Sequence, residues 1–131
     1  MSLRNRVLIV DDYVPYAAVC QDLLRSECEV VGIAHDGLQL LDRAAAILPD
    51  LVILDLHMPR LDGIHAAKLL RTMMPSVKLI FVTASEWVDE EALCKETGAC
   101  AVVFKARGHD LRAAVKLALG PSPDRPRMSA A

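Results

Sequence analysis

The sequence predicts a doubly wound, three-layer α/β domain in which five parallel strands alternate with five helices. Three observations carry that prediction. Short apolar runs recur along the chain: RVLIV, EVVGIA, LVIL, KLIFV and AVVF. They are continuously apolar rather than alternating, so both faces of the sheet they form must be covered, as in a parallel sheet. The segments between them carry apolar residues at helical spacing, and strand–helix alternation packs as helices on both faces of one sheet.

Arg6 to Val10 is the first strand, followed at once by Asp11-Asp12. Pro15 suits the first turn of a helix, where its missing N–H would have no partner anyway. Tyr16, Val19, Cys20, Leu23 and Leu24 then recur at helical spacing and predict an amphipathic helix with that stripe inward. Glu29 to Ala34 is the second strand. Asp36-Gly37 opens a second helix, with Leu38, Leu41 and Ala45 inward and a stop near Pro49. Leu51 to Leu54 is the third strand, closed by Asp55. Gly63 to Arg71 reads as the third helix, with Ile64, Ala67 and Leu70 inward and Pro75 just beyond its end.

Lys78 to Val82 is the fourth strand and leads into Thr83-Ala84-Ser85. The fourth helix starts at the acids Asp89, Glu90 and Glu91 and runs to Thr97, with Gly98 as its C-terminal stop. Ala101 to Phe104 is the fifth strand, ending in Lys105. Asp110 reads as the N-cap of the last helix, whose stripe is Leu111, Ala114, Val115, Ala118 and Leu119. The closing GPSPDRPRMSAA holds three prolines and no periodicity. Residues 4–119 are therefore expected to be the domain and 120–131 a disordered tail or the start of a linker. Met1-Ser2-Leu3 reads as a cloning scar.

With 131 residues the chain is the size of one compact domain, able to bury roughly two thirds of its unfolded surface. Hydrophobic residues make up 53%, yet no apolar run approaches the length of a membrane span. The start, MSLRNRVLIVDD, has too short an apolar core for a signal peptide, which points to the cytoplasm. A net charge of −2 with scattered Lys and Arg excludes the basic stripe of a nucleic-acid reader. Cys20, Cys28, Cys94 and Cys100 form no C-x-x-C pair and read as small core residues of a reduced protein, not metal ligands or disulfides.

The polar residues that close the strands carry the chemistry. The first strand ends in Asp11-Asp12, the third in Asp55, the fourth in Thr83 and the fifth in Lys105. Parallel strands all point the same way, so these residues lie along one rim, where open α/β sheets bind ligands. Asp55, a carboxylate closing an apolar strand and facing a polar loop, is the first choice for the reacting group. Taken singly, each has a plainer explanation: an Asp that starts a turn, a helix cap, a solvated Lys, a β-branched strand residue. Their joint placement on four strand ends is what argues for a site.

Three carboxylates a few ångström apart repel one another unless a cation intervenes. Oxygen ligands favour a hard ion, and Mg²⁺, commonly held by one or two carboxylates with water and phosphate oxygens, fits best. An acid cluster with Mg²⁺, a Lys and a Thr is a set for handling a phosphoryl group, with a carboxylate as nucleophile.

The segments LIVDD (8–12), LVILDLHMPRLDG (51–63), FVTAS (81–85) and GACAVVFKA (98–106) together resemble the receiver domain of two-component response regulators, over about residues 4–119. The resemblance implies a flavodoxin-like sheet in the order 2-1-3-4-5. It implies that Asp55 accepts a phosphoryl group from a histidine kinase or phosphotransfer protein. Asp12 would ligate Mg²⁺ directly and Asp11 through water, with the backbone carbonyl of His57 as a further ligand. Thr83 would bond the phosphoryl group, Lys105 would pair with it, and the small Ala84 would leave room for approach. Helix 4, strand 5 and helix 5 would form the surface for an output domain or dimer partner.

Three departures from that pattern stand out. Val102 occupies the position, three before Lys105, that in such domains is usually aromatic. Ala106 replaces the common proline and is typical of receivers attached to helix-turn-helix outputs. His57 and Ser85 occupy positions that tune loss of the phosphoryl group. A Mg²⁺-dependent phosphohydrolase with an Asp nucleophile is the competing enzyme reading, but it wants a second acid where His57 stands. A flavin module would need a phosphate-binding loop after the first strand, where this chain has Asp-Asp-Tyr.

Overall fold

The computed structural model describes residues 5–58 and 60–120. The expected scar at residues 1–3 and, from 121 onward, the expected disordered tail or linker start lie outside the described residues. Among the described residues the order is β1 (Arg6–Val10), α1 (Val14–Leu24), β2 (Glu29–Ala34), α2 (Gly37–Ile47), β3 (Leu51–Asp55), α3 (Gly63–Met73), β4 (Lys78–Thr83), α4 (Glu90–Thr97), β5 (Ala101–Phe104) and α5 (Gly108–Leu119). The strands form one parallel sheet in the order β2-β1-β3-β4-β5. This is the flavodoxin-like arrangement that the resemblance implied.

Alternation along each strand divides the core into two layers. Val7 and Ile9, Leu51 and Ile53, and Ile80 and Val82 face α1 and α5, where Ala17, Cys20, Leu24, Leu111 and Val115 meet them. Leu8 and Val10, Val52 and Leu54, and Leu79 and Phe81 face α2, α3 and α4. Every residue of β3 is buried, as a central strand covered on both faces requires.

Most of the expected helix stripes pack inward, among them Cys20, Leu24, Leu41, Ala67, Leu70, Leu111 and Val115, but α1 and α2 depart from the sequence reading at particular positions. On α1, Val19 is 57% exposed, and the buried face is Ala17, Cys20 and Leu24. On α2, Leu38 is exposed and Ala45 with it; Gly37, Leu40 and Ala44 point inward instead. The cause is close approach. A Cβ on Gly37 would lie 2.6 Å from the carbonyl oxygen of Leu61, so α2 turns its glycine toward that loop and Leu40 and Ala44 follow. On α5, Asp110 lies inside the first turn rather than at the N-cap, which is Arg107. Cys20 and Cys28 are buried as expected, but Cys100 is exposed.

The short α4 depends on its ends. Asp89 accepts a hydrogen bond from Ala92 N at 3.0 Å, Glu90 and Glu91 fill the first turn, and Gly98 closes the helix at φ 77°. Replacing Asp89 by Ala is expected to cost about 1 kcal/mol, seen as a lower urea midpoint at unchanged slope.

Candidate functional site

The sheet ladder continues past the strand ends and anchors the rim. Asp11 N bonds Ala34 O at 3.0 Å, Leu56 N bonds Val82 O at 3.0 Å, and Lys105 N bonds Thr83 O at 2.8 Å. Asp11, Asp55 and Lys105 each continue the alternation of Ile9, Ile53 and Val103, so all three fall on the α1/α5 side of the sheet. Thr83 continues the alternation of Leu79 and Phe81, which puts it on the opposite side. The start of α3 is pressed against the same strand end: a Cβ on Gly63 would lie 2.5 Å from the Asp55 carbonyl oxygen, so a larger residue there must push Asp55 aside.

Asp11, Asp55 and Thr83 are buried, whereas Asp12 is exposed at the mouth. Lys105 Nζ lies 2.8 Å from Asp11 Oδ2 and 3.3 Å from Asp55 Oδ2, bridging the two buried acids. Asp55 Oδ1 accepts from the backbone N–H of His57 at 3.2 Å, and Asp11 Oδ1 accepts from that of Tyr13 at 2.8 Å. Burial and the neighbouring Asp11 push the Asp55 carboxyl up to about 6, against the pull of His57 N–H and Lys105. Burial draws the Lys105 ammonium down, but the two carboxylates outweigh it and leave its pKa raised.

One oxygen each from Asp11, Asp12 and Asp55 lies within 4.8 Å of the others. Oxygen ligands on one Mg²⁺ ion at about 2.1 Å are about 3–4 Å apart, so this cluster has the size to hold one ion, with room for Asp11 to act through water as the resemblance implies. The buried Asp11 Oδ2 has no aligned hydrogen-bond donor, only the Lys105 ion contact, so it has capacity left for a cation. Donor type, spacing and this open oxygen all fit Mg²⁺. The Cys and His residues form no comparable group among the described residues.

The sequence reading placed Tyr16 in the core stripe of α1. The structure sets its half-buried ring under Lys105, with Nζ 4.7 Å from the centroid. Burial, with Cys20 beside it, holds the Tyr16 hydroxyl well above its usual pKa, so it stays neutral. The signal was available: Tyr16 stands four residues after Asp12, in the first turn of the helix that leaves the acid pair. His35, also unassigned, has Nδ1 3.3 Å from the Asp11 carbonyl oxygen. Arg60, at φ 72°, reaches from the loop after β3 to Asp36 at 3.2 Å, tying that loop to the start of α2.

The family model for the response regulator receiver domain matches residues 7–116. The transcriptional regulatory protein ZraR of Klebsiella oxytoca is 33% identical over 104 residues, 79% of this chain and 24% of that protein. A protein-glutamate methylesterase/protein-glutamine glutaminase of Lawsonia intracellularis is 36% identical over 111 residues, 82% of this chain and 31% of its own length. The chain thus spans about a quarter to a third of these curated relatives. Among solved structures, the response regulator domain of Thermotoga maritima CheB superposes with a TM-score of 0.77 at 28% identity, covering 90% of this chain and 98% of that one. The signal receiver domain of the response regulator NarL from Mycobacterium tuberculosis gives 0.74 at 27% identity, with 90% and 98% covered.

Proposed function

The chain belongs to the response regulator receiver domain family of two-component systems, and from that premise we propose that Asp55 accepts a phosphoryl group in a Mg²⁺-dependent step. The observation that carries the reading is the bridged acid cluster: Asp11, Asp12 and Asp55 within 4.8 Å, with Lys105 between the two buried members. A carboxylate pair costs free energy unless cations offset it, and both offsets are chemically suited to phosphoryl oxygens. The donor is a sensor histidine kinase or phosphotransfer protein.

An Asp55 carboxylate oxygen attacks phosphorus. The bond from phosphorus to the donor's imidazole nitrogen breaks with its electron pair left on nitrogen, and an aspartyl phosphate forms. Lys105 pairs with the phosphoryl oxygens, giving up part of its contact with Asp55. Thr83 donates its hydroxyl to the same group. Asp11, Asp12 and Asp55, with the backbone carbonyl of His57, would hold Mg²⁺, which when bound offsets the negative charge gathered there.

The domain is assigned to residues 4–119 and acts as a phospho-acceptor module in the cytoplasm, not as a conventional enzyme. Among the described residues no helix is long and apolar enough to cross a membrane. Output passes through α4, β5 and α5 to an output domain or dimer partner. Incubation with acetyl phosphate tests the reading: intact mass is expected to show one added phosphoryl group with Mg²⁺ and none with a chelator. Equal labelling in both would sink the Mg²⁺-dependent step.

A further inference from the structure

We propose that Tyr16 is a positioning residue for phosphoryl acceptance: the face of its ring keeps the Lys105 ammonium at the rim while the two acids beside it turn to the metal and the incoming group. The inference rests on the phospho-accepting reading above and adds to it a residue that touches neither the metal nor the phosphoryl group.

A cation already standing where negative charge gathers costs no reorganisation when the reacting group arrives. A lysine side chain resists such placement, because four rotatable bonds must be ordered behind a strongly hydrated ammonium. Three surfaces hold Lys105. Asp11 Oδ2 lies 2.8 Å from Nζ, Asp55 Oδ2 lies 3.3 Å away, and the Tyr16 ring centroid lies 4.7 Å away. Only 18% of the Lys105 side chain is exposed, so the ring contact counts for more than it would at the surface.

The hold exerted by the two carboxylates weakens in use. Each is also assigned to Mg²⁺, and Asp55 becomes the aspartyl phosphate, so the charge that draws Lys105 between them is offset when the ammonium is required. The face of an aromatic ring competes for neither role, and its attraction for the ammonium persists.

Local structure fixes the ring in place. Asp11 Oδ1 accepts from Tyr13 N at 2.8 Å, and Tyr13 O accepts from Tyr16 N at 3.1 Å. Pro15 has a fixed φ and stiffens that first turn. The acid that touches the ammonium therefore also anchors the helix that carries the ring. One turn on, the buried Cys20 stands on the same face of α1, and Tyr16 packs against the core layer that holds Cys20 and Val103.

NMR and labelling kinetics together test this. The Lys105 ε-methylene protons, assigned with Lys105→Arg, are expected upfield of the ordinary lysine position in chelator and in Mg²⁺ alike, because a ring face shields what lies above it. Tyr16→Leu is expected to return these signals to the ordinary position of the remaining lysines. It is also expected to slow labelling by acetyl phosphate and Mg²⁺ about tenfold, with circular dichroism unchanged. Tyr16→Phe keeps the ring and is expected to recover the shift and a rate within about twofold of wild type. A wild-type rate in folded Tyr16→Leu overturns the proposal. So does a Tyr16→Phe as slow as Tyr16→Leu, which assigns the effect to the hydroxyl. An ordinary Lys105 position in the wild type with Mg²⁺ overturns it without any Tyr16 variant, since the ring then lets go when it is needed. Failure of the wild type to take up a phosphoryl group overturns the phospho-accepting reading itself, and the role of Tyr16 with it.

Discussion

Asp55→Asn is expected to reduce phosphoryl acceptance by at least about a hundredfold, because the nucleophile is an anionic carboxylate oxygen and an amide oxygen is a far weaker one. The substitution keeps size and shape, so β3 and its backbone bond from Leu56 N to Val82 O are expected to survive. Lys105 keeps its contact with Asp11 at 2.8 Å, so the pocket does not lose its cation. Intact mass after acetyl phosphate and Mg²⁺ should show no added group in the variant, and circular dichroism should be unchanged. Labelling that persists in Asp55→Asn, traced by peptide mass to Asp12 or another residue, would move the acceptor elsewhere.

The same substitution is expected to stabilise the metal-free protein at neutral pH. Burial and Asp11 raise the Asp55 carboxyl to about 6 in the folded state, whereas an unfolded chain has an ordinary carboxyl near 4. A raised acid favours the folded protein while both states are protonated, and that advantage is lost as pH climbs through about 6. Above that pH the ionised Asp55 is a cost on the order of 2 kcal/mol, which Asn does not carry and which bound Mg²⁺ offsets. Urea midpoints in chelator at about pH 3, below the unfolded-state pKa, should therefore be alike for wild type and Asp55→Asn. At pH 7.5 the variant should be the more stable, and Mg²⁺ should raise the wild type toward it. A variant no more stable than wild type at pH 7.5 would show that Lys105 and the His57 amide already offset the whole charge conflict.

The helix faces show where sequence patterning falls short. Val19 and Leu38 are large apolar residues at helical spacing, yet both are exposed. The buried faces contain the smaller Ala17 and Gly37. Helices packed closely on a sheet or loop turn their small residues inward, and a reading weighted by hydrophobicity passes over them. The N-terminal glycine of α2 illustrates this: with Leu40 and Ala44 it completes the inward stripe, but contributes no hydrophobicity of its own. Tyr16 was missed for the related reason that an aromatic at core spacing looks like core until the cation above it is located.

The sequence by itself determined the alternation of strands and helices, because continuous apolar runs between amphipathic segments have few ways to bury both sheet faces. It also determined which polar residues gather at one rim, since parallel strands deliver their carboxyl ends together. Only the tertiary structure decided which side of the sheet each one takes. Asp11, Asp55 and Lys105 share the α1/α5 side and engage one another, while Thr83 lies across from them, engaged with Ser85. Strand register sets that division, and register depends on pairings between segments far apart in the chain, which local patterning does not encode.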